Sequence, residues 1–332
     1  MRTLFIGSTK RGYQTLAALI EHRAHIVGVI SLRQDEHETE RYEEPIRHLA
    51  ERHDIPVYET RWMKDRPYPE IIARDIRPDL SVVVGCRILL PRDVYEIPPR
   101  GTIAVHDSML PEYRGFAPLN WQIINGEDHT GVTLFYLNDS MDCGDIIAQT
   151  QVPIGPSDTA PQVFERVCQA TVDVVLTAYP LLADGTAPRR QQFEHEGSVT
   201  CRRTPDDGLI DWNRSTSDIA NLIRGLTSPY PGAFTFYKGR RVTIWRAEAV
   251  EPAPQYVGRI AGVPIGISKT EGYVDVLTGD GVLRLMEVER EGESRAAAAA
   301  VITSIRAKLG IDVMDLMKRL QILEAQATNM AR

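Results

Sequence analysis

The first half of the chain predicts an α/β fold with a Rossmann-like, doubly wound sheet. Short apolar runs rich in β-branched residues alternate with segments whose apolar residues recur at helical spacing, up to about residue 150. Short alternating strands then predict a small β barrel, and an alanine-rich end favours helix. We therefore predict a first domain over residues 1–190, a linker over 191–205, a second domain over 206–292 and a helical tail over 293–332.

The composition is typical of a globular protein with two domains. The chain has 332 residues, of which 43% are hydrophobic and 25% charged, enough for two sizeable cores. No apolar run reaches the roughly 18 residues of a membrane span, and the N-terminus reads as a strand rather than a signal peptide. Four cysteines without metal-ligand spacing predict a reduced cytoplasmic location and no bound metal.

The elements of the first domain follow from the spacing of apolar residues. We predict strands at residues 3–7, 26–31, 55–57, 80–85, 102–105 and 132–137, and helices at about 13–21, 45–53, 68–76, 118–125 and 160–183. Gly7 and Gly12 flank the first turn, but the G-x-G-x-x-G pattern is absent, so a nicotinamide cofactor is not expected.

The segment over residues 33–44 is acidic, with six carboxylates against two arginines. Such a run is usually a solvated loop. The negative charge of this segment, together with the net charge of −7, would repel the phosphates of a nucleic acid. A nucleic-acid partner is therefore a weaker expectation.

Two of the predicted strands end in polar loops that should meet in one crevice. The strand at 102–105 is followed by His106, and the strand at 132–137 by a loop with Asp139, Asp142 and Asp145. Ligands of open α/β sheets bind at the carboxyl ends of strands. A histidine oriented by a carboxylate can transfer protons near neutral pH. The residue types alone also fit a capping histidine beside a solvated acidic loop.

The stretch over residues 101–149 resembles the signature of the folate-dependent formyltransferases. A strand, a histidine, a Pro-x-x-Arg-Gly loop and an Asp-x-Gly motif match in order. The matching residues are His106, 108–111, Arg114, Gly115 and 142–144. Further runs at 117–121, 125–127 and 131–134 are most similar to the domain that formylates UDP-4-amino-4-deoxy-arabinose. The resemblance covers about residues 1–292.

This resemblance implies transfer of a formyl group from 10-formyltetrahydrofolate to a primary amine. It implies that His106 manages proton transfer and that Asp142 orients it. The residues expected at the folate are Cys86, Arg87, Ile88, Leu89, Leu90, Asn138, Asp139 and Asp142. Those expected at the acceptor are Ser108, Met109, Arg114, Gly115 and Tyr230. Residues 86–90 also fit a plain apolar loop. No histidine or other base lies at a sequence spacing that would indicate a catalytic partner for Cys86, so an inert thiol is favoured over a nucleophile.

One position departs from the family. Ala104 stands two residues before His106, where the family has a catalytic asparagine that hydrogen-bonds the developing oxyanion. Loss of one such donor costs roughly 10²–10³ in rate. Three explanations remain open: another donor such as Asn138 or Asn120 substitutes, the residue was changed deliberately, or formyl transfer has been lost.

The acceptor expected from the nearest motifs is a nucleotide-linked amino sugar. Two alternatives remain, methionyl-tRNA formylation and a folate-binding homologue with altered or lost transfer. Arg202 and Arg203 lie in the predicted linker and could bind a substrate phosphate, although solvated linker charges explain them as well.

The second domain is expected to be OB-like, as the resemblance implies. We predict a helix at 217–226 and strands at 235–237, 241–246, 257–260, 273–277 and 282–288, with a turn at 264–266. The strands lack the aromatic and basic alternation typical of nucleic-acid binding. From residue 296 onward the apolar spacing predicts a helix, interrupted at Gly310, that docks on the body of the chain or, in a homodimer, on a second subunit.

Overall fold

The computed structural model describes residues 1–33, 41–63, 67–86, 88–311, 313, 316–317 and 320–323. It divides into two compact units. The first unit comprises residues 1–122, 127–158 and 162–202, and the second comprises 123–126, 159–161 and 203–332. The predicted acidic loop lies mostly outside the described residues, as does Arg87.

The first unit is built on one mixed sheet with the strand order β3-β2-β1-β4-β5-β7-β8. Its strands are β1 (Arg2–Gly7), β2 (His25–Leu32), β3 (Val57–Thr60), β4 (Leu80–Val84), β5 (Thr102–His106), β7 (His129–Tyr136) and β8 (Ile146–Pro153). The strands β1 to β5 are parallel, whereas β7 and β8 run antiparallel to their neighbours. A separate short pair joins β6 (Arg114–Gly115) to β9 (Val199–Thr200). The predicted α/β fold is confirmed.

The five predicted helical segments of the first unit are helical, with ends that differ by up to four residues, and one short helix at Arg92–Tyr95 was not predicted. The helices are α1 (Thr9–Glu21), α2 (Glu43–Glu51), α3 (Tyr68–Glu70), α4 (Arg92–Tyr95), α5 (Pro118–Ile124) and α6 (Ala160–Asp184). A π-helical turn, Ile71–Ile76, continues α3. Glu43 and Glu44 of the acidic segment occupy the first turn of α2, where negative charge stabilises the helix dipole.

The second unit is an antiparallel sheet with the order β10-β11-β14-β13-β12, and β15 pairs with β14. Its strands are β10 (Ala233–Tyr237), β11 (Arg240–Ala249), β12 (Pro264–Ile267), β13 (Val274–Leu277), β14 (Val282–Arg290) and β15 (Ala296–Ala297). Its helices are a 3₁₀ turn (Pro205–Gly208), α7 (Thr216–Leu226) and α8 (Ala298–Val301).

One predicted strand of the second unit is wrong. Residues 257–260 form no strand, and Val257 and Ile260 are exposed. Arg259 fixes this segment instead, by donating to the carbonyls of Thr278 and Gly281. The strand lies further on at β12, where a turn was predicted; its proline is the first residue, a position that strands tolerate.

The alanine-rich segment also differs from the prediction of a long helix. Its first two alanines pair with β14 as β15, and the single turn α8 follows. Tertiary pairing therefore overrides the helix propensity of alanine here. Further along, the described residues 313, 316–317 and 320–323 are helical, as predicted for the tail. Leu309 is buried and bridges to Tyr237, and most of the remaining tail lies outside the described residues.

Among the described residues, no helix combines the length and the apolar character needed to cross a bilayer.

Candidate active site in the first unit

His106 lies at the carboxyl end of β5, and both of its ring nitrogens face protein oxygen atoms. Nε2 is 2.7 Å from the carbonyl oxygen of Tyr113, and Nδ1 is 3.5 Å from Oδ2 of Asp142. A carbonyl can only accept, so Nε2 carries the hydrogen and Nδ1 the lone pair in the neutral ring. The structure thus brings together the predicted histidine and carboxylate.

Burial lowers the pKa of His106 below its ordinary value. The Asp142 carboxylate and the Tyr113 carbonyl act in the opposite direction, and the charge of Arg11 adds to the lowering. The imidazole is therefore neutral at neutral pH, and it can accept a proton at Nδ1 beside a carboxylate that stabilises the resulting cation.

The Asp142 loop is held by backbone contacts. Oδ2 of Asp142 accepts a hydrogen bond of 2.8 Å from the N–H of Gly115. Asp142 itself has a φ of 54°, in the left-handed region that non-glycine residues seldom occupy. A side chain on Gly144 would clash with the carbonyl oxygen of Tyr136, which explains the glycine of the Asp-x-Gly motif physically.

The loop after His106 is braced against β7. The buried Ser108 donates to the carbonyl of Glu112 at 2.6 Å, and Met109 packs against Gly131. The N–H of Leu110 donates to Oγ1 of Thr133, which lies opposite His106 in the sheet. Ser108 and Met109 therefore shape this loop, and their contact with an acceptor stays a prediction.

Arg114 is 3% exposed, and its guanidinium is occupied within the protein. It donates to Oε1 of Gln192 at 2.9 Å and to the carbonyls of Phe193, Glu194 and Glu196. In this structure the guanidinium holds residues 192–196, so direct binding of an acceptor by Arg114 remains a prediction.

Residues 190–201, which we call the strap, include most of the predicted linker at 191–205. Val199 and Thr200 of the strap pair with Arg114 and Gly115 as β9 and β6, and Arg190 bridges to Ile146. Sequence reasoning missed Gln192 in particular. Its polar neighbourhood carries no motif, and only the fold reveals its contacts.

The loop predicted to hold the folate is apolar and half-buried. Cys86, Ile88 and Leu90 pack against a buried cluster of the sheet, whereas Leu89 is 74% exposed. The Cys86 thiol donates to the carbonyl of Ile88, and burial raises its pKa to about 11. Cys86 is therefore a protonated thiol at neutral pH, as expected for an inert cysteine.

The second predicted folate segment begins after β7. Asp139 accepts hydrogen bonds from Tyr95 and from Arg92, and the bond to Asp139 raises the pKa of Tyr95 to about 12. Oδ1 of Asn138 accepts from the N–H of Ser140 at 3.1 Å, so its amide hydrogens are the donors that it offers. Contact of either residue with folate stays a prediction.

Ala104 belongs to the same buried cluster as the folate loop. It is 9% exposed and lies opposite Val83 of β4 and Phe135 of β7. Its methyl group offers no hydrogen-bond donor, and its neighbours across the sheet are apolar.

Tyr230 lies in the second unit, between α7 and β10, where its N–H donates to the carbonyl of Thr227. Its predicted role at the acceptor is likewise still a prediction.

Comparison with known families decides the class of protein. The family model described as formyl transferase matches residues 1–179, and the model for the formyl transferase C-terminal domain matches residues 202–306. The chain belongs to the formyl transferase family. The predicted class, a folate-dependent N-formyltransferase, is thereby confirmed.

Curated relatives resemble this formyltransferase over most of their length. A methionyl-tRNA formyltransferase of Syntrophus aciditrophicus is 35% identical over 297 residues, covering 88% of this chain and 92% of that protein. One from Alkaliphilus oremlandii is 34% identical, covering 89% and 94%.

Solved structures confirm the fold. WlaRD, a sugar 3N-formyltransferase, aligns with a TM-score of 0.64 at 16% identity, covering 89% of this chain and 99% of that one. HypX from Aquifex aeolicus, solved with tetrahydrofolic acid, aligns with a TM-score of 0.62 at 20% identity, covering 92% of this chain and 47% of that one.

Proposed function

We propose that this formyltransferase moves a formyl group from 10-formyltetrahydrofolate to the primary amine of a nucleotide-linked amino sugar. The observation that carries the proposal is the buried His106–Asp142 pair, with Nδ1 of His106 facing the carboxylate at the carboxyl edge of the sheet. Membership of the formyl transferase family supplies the reaction class.

In the proposed reaction the unprotonated amine attacks the formyl carbon. A carbon–nitrogen bond forms, and the formyl oxygen takes the negative charge. Nδ1 of His106 accepts the proton that the amine must lose, and Asp142 stabilises the imidazolium. Collapse of the tetrahedral intermediate breaks the bond to N10 of the folate, and the proton is returned to that nitrogen.

The residues of the predicted folate loop fit a flat heteroaromatic ring. Cys86, Ile88, Leu90 and Leu137 flank the buried apolar cluster and are partly exposed, so they offer an apolar surface for the faces of the ring. The backbone groups beside them can pair with its polar edges. Asn138, next in sequence, has amide hydrogens to offer.

The oxyanion needs a donor that Ala104 does not provide. We propose that the His106 imidazolium and an amide, from Asn138 or Asn120, share this task. Asn120 is buried on α5, and Asn138 lies in the loop that carries Asp142. Each can be tested by substitution with aspartate, which keeps the shape and removes the amide donors.

The choice of a sugar acceptor rests on the motif resemblance and on charge. The net charge is −7, and residues 33–44 are acidic, which disfavours a polyanion such as tRNA. Methionyl-tRNA is the second candidate, because relatives carrying that name are 34–35% identical over about nine-tenths of this chain.

A single assay discriminates between the two acceptors. The protein and its His106→Asn variant are given 10-formyltetrahydrofolate with a panel of nucleotide-linked amino sugars, including UDP-4-amino-4-deoxy-arabinose, or with methionyl initiator tRNA. Mass spectrometry follows the added formyl group. We expect formylated sugar from the parent protein and at least a hundredfold less from the variant, on the order of a general-base contribution. Formylation of the tRNA alone would replace the proposed acceptor, and folate binding without transfer to any amine would overturn the proposed reaction.

A further inference from the structure

We propose that the strap belongs to the catalytic machinery and that Gln192 is a positioning residue, which holds Asp142 against His106. The family models end at residue 179 and resume at residue 202, so neither covers the strap. The proposal rests on the proposed reaction for its kinetic test, whereas its spectroscopic test needs no substrate.

The side chain of Gln192 is 8% exposed, and both ends of its amide are occupied. Nε2 donates to the carbonyl of Asp142 at 3.0 Å and to the carbonyl of Gly144 at 2.7 Å. Oε1 accepts from Arg114 at 2.9 Å. Two carbonyls require donors and a guanidinium requires an acceptor, so these partners fix the orientation of the amide.

These bonds connect the two loops that contact His106, the proposed proton acceptor. Gln192 joins Arg114 to the backbone on both sides of Cys143, and the N–H of Gly115 joins the same segment through the Asp142 carboxylate. The residue before Arg114 supplies the carbonyl that receives Nε2–H of His106. The two loops that hold His106 therefore meet at Gln192.

Hydrogen bonds anchor both ends of the strap, so the position of Gln192 is fixed relative to the Asp142 loop. Arg190 exchanges two backbone hydrogen bonds with Ile146, of 2.8 and 2.9 Å. Beyond Gln192, the N–H of Arg114 donates to the carbonyl of Ser198, and the indole of Trp121 donates to the carbonyl of Cys201.

Asp142 needs such a support because its backbone occupies the left-handed region, with a φ of 54°. That conformation costs free energy and persists only where the surroundings impose it. Without the two bonds from Gln192 the loop can relax, and the 3.5 Å between carboxylate and imidazole increases. Removal of one member of a buried polar network leaves its partners without hydrogen bonds, which is costly in the low-dielectric interior.

The charged groups around His106 define the expected signature. Asp142 faces the ring from the β7–β8 loop, and Tyr113 presents a carbonyl from the loop after β5. Arg11 of α1, which is paired with Asp107, acts on the ring through its charge. If Asp142 moves away from His106, its carboxylate no longer offsets burial and the Arg11 charge, both of which lower the pKa of His106. The pKa of His106 then falls further.

The test is an NMR titration of the full-length protein with labelled histidine, in which the His106 signal is assigned by its absence from His106→Asn. The variants are Gln192→Ala, Asp142→Asn and the double variant, with Gln191→Ala as the matched control because Gln191 is the exposed neighbour. We expect Gln192→Ala to lower the pKa of His106 in the same direction as Asp142→Asn. We expect no further fall in the double variant, and no change in Gln191→Ala.

The proposal is overturned if Gln192→Ala leaves the His106 titration unchanged. It is equally overturned if Gln192→Ala lowers that pKa by as much in the Asp142→Asn background, because two residues acting through one contact must not be additive. Neither result depends on the identity of the acceptor, so a wrong acceptor would not be mistaken for a wrong role of Gln192.

Enzyme kinetics provides a second test of the role of Gln192 once an acceptor has been identified. We expect kcat to fall on the order of 10- to 100-fold in Gln192→Ala, with little change in the KM for the folate, since misplacement of a catalytic group by about 1 Å has effects of this size. Gln192→Glu guards against simple misfolding: it keeps a partner for Arg114 but loses both donors to the Asp142 loop. A stable Gln192→Glu protein with the parent kcat would contradict the proposed role.

Discussion

Two positions of strand β5 face the same side of the sheet and lie in opposite environments. Ala104 sits among buried apolar side chains between β4 and β7, whereas His106, two residues later, is enclosed by carbonyls and a carboxylate. The histidine and the carboxylate that we propose for proton transfer thus lie together, while the position where the resemblance expects a side-chain donor is apolar. The comparison separates two tasks of one active site that the family motif combines.

The difference follows from where each position lies along the strand. Ala104 is flanked across the sheet by Val83 and Phe135, so a polar side chain there would need its partner from a bound substrate. His106 is the last residue of β5, where the loop to Tyr113 and the loop with Asp142 can both reach it. In the proposed reaction, oxyanion stabilisation and proton transfer can therefore be lost independently.

The largest effect on the transfer rate is expected from substitution of His106. His106→Asn should lower kcat by about 10²- to 10⁴-fold, because it removes the group that takes the amine proton. Initial rates of formyl transfer measure it, with binding of the folate followed separately by tryptophan fluorescence. A variant that keeps more than a tenth of the parent rate would show that another base serves the reaction.

The apolar position should respond in the opposite direction. Ala104→Asn adds an amide at the position of the family's donor. Because Asn138 or Asn120 is proposed to serve the oxyanion already, we expect the transfer rate to rise by less than about tenfold. The melting temperature should fall, since an amide without a partner in an apolar site costs about 1–3 kcal/mol. Ala104→Leu is the control of similar size without a donor and should not gain activity. A gain on the order of 10²-fold in the folded Asn variant would show that neither Asn138 nor Asn120 fills the role.

A smaller effect, on stability, is expected at Gly115, where the strap pairs with the loop beside His106 and Asp142. Gly115 has a φ of 100°, and a Cβ there would lie 2.5 Å from the carbonyl oxygen of Thr200. Gly115→Ala should destabilise the protein by about 1–3 kcal/mol through backbone strain. Denaturant unfolding measures this, with Gly258→Ala as the control, because a Cβ at Gly258 meets nothing within 4 Å. Equal stability of the two variants would show that the β6–β9 contact is loose.

The smallest effect on the transfer rate is expected from substitution of Cys86, in the apolar loop after β4. Cys86→Ala should change the transfer rate by about twofold or less, because the thiol is protonated at neutral pH and only packs and donates to Ile88. Alkylation kinetics provide the check: the exposed Cys201 should react much faster than Cys86. Rapid modification of Cys86 with loss of activity would assign the thiol a chemical role.

The sequence predicted the elements whose signals are local. The strand ends at His106 and the Asp-x-Gly loop follow from apolar spacing and motif, and the structure places His106 and Asp142 together. Gln192 could not be predicted, because its proposed role depends on hydrogen bonds to carbonyls 48 and 50 residues away. The same limit explains the misplaced strand at 257–260, whose apolar residues match the pattern but are exposed, and the alanines that pair with β14 rather than forming a long helix.

The pH dependence of transfer tests the central claim most directly, that a neutral, Asp142-supported His106 accepts the proton. The quantity to measure is kcat/KM for the parent and for Asp142→Asn, expressed per unprotonated amine so that the titration of the substrate is removed. The parent should lose activity on the acid side with an apparent pKa below the ordinary histidine value of about 6.5, because burial disfavours the imidazolium. In Asp142→Asn the fall should move to still lower pH, since the carboxylate that raises the pKa of His106 is gone. An acid limb that stays in place, moves to higher pH or is absent would contradict the account.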